Sequence, residues 1–304
     1  MSIDIVVPED VELTTLLDEL RKLSWAAADV LIAYARGEEP PYGFPKSLTV
    51  EEGGDGPVSA ADIAVNELLI SGLKNNLDYE GWNILSEETS KEKTFQGSHY
   101  KKGWCWIIDP LDGTKDFLQG SKNYAVHIAL VYEQKPKIGV VLIPERNELW
   151  FGIIGSGAWC ENRDGSRKYI SFSNRQDISE LVLVSSKNHQ QSKLQNLLST
   201  LCFAETKKIG SVGCKVASIL RGESDVYISL SGKTSPKDWD MAAPHALIEA
   251  AGGFFTHADG TNLIYQKIDY SQSGCLIASH GKSHHKICQK AMDFFSLKEP
   301  EYRV

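Results

Sequence analysis

The apolar run Trp104-Cys-Trp-Ile-Ile108 leads straight into Asp109-Pro-Leu-Asp-Gly-Thr114. Few folds tolerate this junction, because a buried-type strand must deliver two carboxylates, three positions apart, into a turn of Pro and Gly. Mg²⁺ takes oxygen ligands and keeps several of its waters, so such a pair suits it when a substrate phosphate completes the shell. Two ions about 4 Å apart can together activate a water and steady a leaving oxygen. Pro110 is expected to end the strand. Gly113 would let the backbone approach an oxyanion that its own N–H and that of Thr114 can bind. The same residues also suit an ordinary acidic surface turn, so the rest of the chain decides.

At 304 residues, with 42% hydrophobic and 24% charged positions, the chain can bury a substantial core in two subdomains, expected over 1–170 and 171–304. A net charge of -8 disfavours nucleic-acid polymers and anionic membranes as partners. Any phosphate bound here therefore needs local positive charge or metal. The six cysteines are scattered with no C-x-x-C, as expected of buried thiols in a reducing compartment. The N-terminus lacks the basic and apolar regions of a signal peptide, and no apolar run is long enough to span a bilayer, so a cytoplasmic location is expected.

Helical spacing of Leu13, Leu16, Leu17, Leu20 and Leu23 predicts a helix from Val11 to Arg36, stopped by Gly37. Glu38 to Pro57 reads as a long loop or flap. A second helix is expected from Ser59 to Asn76, then a short strand at Trp82–Leu85 running into Ser86-Glu-Glu88. Between Tyr124 and Ile170, apolar runs broken by turn signals predict an antiparallel meander. Beyond it come a strand at Leu181–Ser185, helices at Gln190–Leu201 and Ser211–Arg221, and a strand at Val226–Leu230. A helix at Ala242–Ala251 closed by Gly252-Gly253 and a last helix near Ser283–Phe295 complete the pattern. Helices and strands alternating after a meander imply stacked helix and sheet layers, a layered α/β chain.

Four further acidic positions stand out. Glu87-Glu88 follows a strand, although paired acids are often just a solvated loop. Asp62, in Ser59-Ala-Ala-Asp62, fits a capping box in outline. Asp240 precedes a helix and reads as an N-cap, or as a carboxylate facing metal. The order Asp62, Glu87-Glu88, Asp109-x-x-Asp112-Gly-Thr, Trp239-Asp240 and Gly252-Gly253 resembles the lithium-sensitive, Mg²⁺-dependent phosphatase family. That family includes inositol monophosphatases, fructose bisphosphatases and 3'(2'),5'-bisphosphate nucleotidases.

The resemblance covers about Ser59 to Gly253 and implies an αβαβα sandwich holding two or three Mg²⁺ ions. It implies metal ligation by Glu87, Asp109, Asp112, Asp240 and the carbonyl of Leu111, with Glu88 auxiliary at a weaker cation. It further implies that Asp62 and Thr114 orient and deprotonate the attacking water, and that the amides of Gly113 and Thr114 hold the phosphate. No covalent phosphoenzyme is needed.

Substrate choice rests on other residues. Thr114-Lys-Asp-Phe117 is similar to the nucleotidase branch, as are Ser211-Val-Gly-Cys-Lys215 and Ser186-Lys-Asn-His189. These imply substrate contacts at His189, Ser211, Gly213, Lys215 and Asp240. Lys215, Lys233 and Lys237 offer positive charge for a second phosphate. Ser229 stands where inositol enzymes carry a sugar-binding Glu and many nucleotidases an Arg, and Gly53-Gly-Asp-Gly-Pro-Val-Ser59 lacks the branch's flap lysine. The expected substrate is adenosine 3',5'-bisphosphate, a by-product of sulfur metabolism, with 3'-phosphoadenylyl sulfate as a second. An inositol or sugar phosphatase, and a regulatory protein without turnover, are the alternatives. A monomer or homodimer is expected.

Overall fold

Residues along the central strands alternate between two separate cores, and this alternation sets the layers. A computed structural model describes residues 6–53, 56–77, 79, 81–92, 103–187, 192–231 and 235–298. Its first half runs α1 (Leu13–Arg36), β1 (Val50–Gly53), β2 (Gly56–Ser59), α2 (Ala60–Asn76), β3 (Asn83–Ser86), α3 (Glu87–Glu92), β4 (Cys105–Asp112) and α4 (Thr114–Leu118). The meander follows as β5 (Ala125–Tyr132), β6 (Lys135–Ile143), β7 (Glu148–Ile153), β8 (Gly157–Glu161) and β9 (Arg167–Lys168). The second half runs β10 (Val182–Ser186), α5 (Ser192–Leu201), β11 (Glu205–Ile209), α6 (Val212–Leu220), β12 (Val226–Leu230), α7 (Asp238–Ala250), β13 (Phe254–His257), β14 (Cys275–Ser279) and α8 (His284–Lys298).

Strands β3 to β9 form one sheet in sequence order, parallel only at β3–β4 and antiparallel elsewhere. The second sheet has the order β11-β10-β12-β14-β13. On β5, Val126, Ile128 and Leu130 face a core shared with α1 and α2, while Ala125, Ala129 and Val131 face one shared with α6, α7 and the second sheet. The other face of the second sheet packs its Leu183, Val226 and Ile228 against α5 and α8. The layers are therefore helix, sheet, helix, sheet, helix: the expected αβαβα sandwich.

The middle layer is tight. A Cβ on Gly139 of β6 would lie 2.4 Å from the Ala243 carbonyl oxygen, and one on Gly152 of β7 would lie 2.6 Å from Leu247 Cα. Only glycine lets α7 rest directly on these strands, and α7 brings Asp240 to the sheet.

Several boundaries differ from the sequence reading. The supposed loop at 38–57 contains the β1–β2 hairpin. Pro110 does not end its strand: β4 continues to Asp112 through a bulge, since Asp109 pairs with His127 and Asp112 with Ala125. Proline has no N–H for the ladder, and a bulge is where a sheet accommodates it. Asp240 is not an N-cap, because α7 begins at Asp238. The unassigned β11, β13 and β14 add strands to the second sheet; β11 (Glu-Thr-Lys-Lys-Ile) is polar because it is an edge.

Gly139→Ala is expected to cost about 1–3 kcal/mol of unfolding free energy through overpacking against α7. Urea denaturation of the variant checks this; wild-type stability would show that α7 can move off the strand freely.

Candidate functional site

In a regular strand, residues three apart point to opposite faces. The extra residue in the β4 bulge reverses that parity, so Asp109 and Asp112 face the same way, toward α6 and α7. There they meet Asp240 from α7, and the oxygens of the three carboxylates lie within 4.8 Å of one another. Asp109 and Asp112 are buried. Glu87, the first residue of α3, is near enough for its charge to bear on Asp109, Asp240 and Asp62. Neighbouring Glu88 is buried.

The two β4 acids are held differently. Asp109 Oδ1 accepts a hydrogen bond from the Leu111 N–H at 3.0 Å. Asp112 Oδ2 accepts from Ser211 Oγ at 2.6 Å and Gly213 N at 3.0 Å, and His127 Nε2 lies 3.1 Å away. Ser211 is also the N-cap of α6, its Oγ accepting from Cys214 N. The N–H of Gly213 and the hydroxyl of Ser211 are thus engaged by Asp112.

Asp62 has two tasks. Its Oδ2 accepts from Ser59 N and Oγ, closing the capping box of α2, while Oδ1 accepts from Thr114 Oγ1 at 3.0 Å. The Leu111 carbonyl lies 3.1 Å from the same hydroxyl. Gly113 precedes Thr114 at φ 95°, a left-handed turn at the head of α4.

Lys215 is not a solvated helix lysine. Its side chain is buried, with Nζ donating to the Gly210 carbonyl at 2.6 Å and lying 5.0 Å from the Tyr227 ring centre. Lys237 Nζ is occupied by the Asp269 carbonyl and Ser271 Oγ. Ser229 is hydrogen-bonded to Tyr227. His189 and Lys233 lie outside the described residues. Two groups given no role in the sequence reading are His127, beside the clustered acids, and Lys187, whose Nζ is 3.5 Å from Asp116 Oδ1 and 3.4 Å from Gln119 Oε1. His127 had a signal, a single imidazole inside the apolar run Ala125–Val131.

Burial, then the charges of Glu87, Asp112 and Asp240, holds the Asp109 carboxyl well above the usual range. Burial followed by Glu87 and Asp112 raises Asp240 to about 7, against the Lys237 N–H that favours its anion. Asp62 is raised to about 6 by burial, opposed by hydrogen bonds from Ser59 and Thr114. Asp112 goes the other way: burial is outweighed by His127, Lys215 and Ser211, so it stays ionised below the usual range. Burial lowers Lys215, and Asp112 is the first of the anions opposing that shift. An all-oxygen set of buried carboxylates, two of them raised by burial first and by their neighbours' charges after it, fits a hard divalent cation such as Mg²⁺.

A five-layered sandwich with a carboxylate cluster where the bulge of its first sheet meets α7 is an arrangement suited to divalent-cation chemistry. The chain belongs to the inositol monophosphatase family, whose model matches residues 15–294. It is 31% identical to the 3'(2'),5'-bisphosphate nucleotidase CysQ of Escherichia coli strain K12 over 252 residues, covering 82% of this chain and 94% of that one. The Nus factor SuhB of Xylella fastidiosa is 30% identical over 238 residues, covering 76% of this chain and 80% of its own. The structure of an inositol monophosphatase from Anabaena superimposes with a TM-score of 0.68 at 26% identity, covering 93% of this chain and 97% of that one. The similarity to CysQ proteins agrees with the CysQ-like branch indicated by Thr114-Lys-Asp-Phe117. The chain is accordingly a phosphoric monoester hydrolase of a Mg²⁺-dependent superfamily.

Raised carboxyls stabilise the metal-free fold while they hold their protons, and that contribution is lost as pH rises through about 6 to 7, where Asp62 and Asp240 ionise. The melting temperature in EDTA should therefore fall between pH 5 and pH 8, and Mg²⁺ should restore more at pH 8 than at pH 5. Scanning calorimetry reads both; a Mg²⁺ effect that is equal at the two pH values would contradict the coupling.

Proposed function

We propose that the protein hydrolyses the 3'-phosphate of adenosine 3',5'-bisphosphate, giving AMP and phosphate, with 3'-phosphoadenylyl sulfate as a second substrate. The observation that carries the reaction type is the Thr114–Asp62 pair beside the clustered acids, Oγ1 to Oδ1 at 3.0 Å. Glu87, Asp109, Asp112, Asp240 and the Leu111 carbonyl would hold two or three Mg²⁺ ions. Bound Mg²⁺ supplies Lewis acidity to the phosphate and acidifies the attacking water. The protein does the rest. Thr114 Oγ1 takes a proton from the water as its own passes to Asp62 Oδ1, and the raised Asp62 carboxyl, at about 6, is a better base than an exposed carboxylate while still ionised near neutrality. The amides of Gly113 and Thr114 steady the phosphate oxygens. The water oxygen bonds to phosphorus, the P–O3' bond breaks, and O3' leaves with its electron pair and gains a proton from solvent.

Support for a nucleotide comes from the CysQ relatives and the Thr114-Lys-Asp-Phe117 pattern. Lys215 is the buried cation at the nucleotide end in this reading, beside Asp240 and the α6 turn whose Ser211 hydroxyl and Gly213 N–H are engaged by Asp112; the His189 expected there lies outside the described residues. The net charge of -8 favours a small metal-neutralised substrate over a nucleic-acid polymer or a membrane. An inositol or sugar phosphatase is the second reading, favoured by the Anabaena enzyme's likeness. A regulatory protein without turnover is a third, raised by the name of the Xylella relative.

Phosphate release from adenosine 3',5'-bisphosphate and from inositol 1-phosphate, side by side with Mg²⁺, should favour the nucleotide; the opposite order transfers the proposal to the second reading. Thr114→Ala should lower kcat by roughly 10²- to 10⁴-fold, the usual share of general acid–base catalysis. No Mg²⁺-dependent turnover on either ester would support the third reading.

A further inference from the structure

His127 lies on β5, opposite Asp109 in the strand register, and is 0% exposed. Its Nδ1 is 3.3 Å from the carbonyl oxygen of Trp239, the residue before Asp240 on α7. Its Nε2 lies 3.1 Å from Asp112 Oδ2, within ion-pair distance, and makes no hydrogen bond of regular geometry among the described residues. Both ring nitrogens face oxygen atoms, one on α7 and one on the β4 bulge. The ring therefore spans the two elements that supply the clustered acids, the β4 bulge and the first turn of α7.

We infer that His127 is a positioning residue for the metal centre: it fixes Asp112 by its Oδ2, leaving Oδ1 to face the cation, and sets the distance between Asp112 and Asp240. Ser211 Oγ and Gly213 N donate to that oxygen, and His127 Nε2 stands 3.1 Å from it. A carboxylate so saturated on one oxygen cannot rotate without breaking all three contacts, and outer contacts of this kind tune metal affinity. The approach of α6 is close here: a Cβ on Gly213 would stand 2.4 Å from His127 Nε2 and 2.8 Å from Val141 Cγ1, so glycine lets the helix meet β5 and β6 at the ring. Ala125, Ala129 and Val131 share its face of the strand as apolar core, and an imidazole in that row has no packing advantage over an aliphatic side chain. The inference rests on the reading of Asp109, Asp112 and Asp240 as ligands of a divalent cation.

The test uses the two amides that each mimic one ring nitrogen. His127→Gln places a donor where Nε2 stands, toward Asp112; His127→Asn places one where Nδ1 stands, toward Trp239. Full-length wild type, His127→Gln, His127→Asn and His127→Ala are stripped of metal and titrated with Mg²⁺ and with Mn²⁺ by calorimetry, with the melting temperature of each metal-free protein as the measure of folding. His127→Gln should bind within a few-fold of wild type, and His127→Asn and His127→Ala about 10- to 100-fold more weakly. Wild-type affinity in His127→Asn or His127→Ala overturns the inference and leaves the metal reading intact. Equal weakening in the Gln and Asn variants, in step with equal losses of melting temperature, shows a packing role only and overturns it as well. No binding of either ion to the wild type removes the metal reading and this inference together.

Discussion

The contact of α7 with β6 and β7 is the constraint on which the rest of the structure depends. Helix and strand backbones meet at Gly139 and Gly152 with no room for a methyl group. Because α7 also packs against the second sheet, one helix fixes the separation of both sheets. Its first turn then arrives at β4 with Asp240 in place. Packing of this density resists strain, and that resistance matters because the acids it brings together repel one another. Apolar burial in three contiguous cores holds the carboxylates at distances they would not choose.

The repulsion is not uniform, and its pattern is informative. Asp112 is held ionised by His127, Lys215 and Ser211, whereas Asp109 and Asp240 are pushed toward the protonated form. A site balanced by fixed protein cations would have every carboxylate paired. Here one acid is anchored and its neighbours lack compensation of comparable strength, the imbalance expected when the missing charge belongs to a dissociable ion. Asp62 stands apart, since its Oδ2 is spent on the α2 cap and its Oδ1 on Thr114. Attachment to a helix terminus fixes its position, as the proposed role of proton acceptor requires.

The sequence revealed the acids and concealed the device that aligns them. Asp62, Glu87, Asp109, Asp112 and Asp240 were legible because a specific order of rare junctions carried them. The capping reading of Asp62 was also right, since its two oxygens serve different partners. Pro110 misled: it reads as a strand terminator, yet the strand passes through it as a bulge, and that bulge turns Asp109 and Asp112 to one face. The start of α7 was obscured because Lys237 is an unusual N-cap, while Asp240 completes the box from the third position by accepting the Lys237 N–H. The polar edge strand β11 has no alternation to detect, because neither end of its pattern is buried. His127 escaped notice because its meaning depends on a strand register that no local pattern encodes.

The two halves of the chain bear differently on chemistry and on choice of substrate. The β4 bulge, the α2 cap and Thr114 come from the first half, and of the clustered acids only Asp240 comes from the second. Lys215 and the α6 N-terminus belong to the second half, yet they reach the first through Asp112, by way of Ser211 and Gly213. Any change at α6 that altered substrate recognition would thus also disturb a carboxylate of the cluster. Lys187, on the rim with 45% of its side chain exposed, contacts Asp116 and Gln119 among the described residues, neither of them one of the clustered acids. Divergence in substrate choice is therefore expected at the rim first, with the α6 turn conserved by its mechanical tie to the acids.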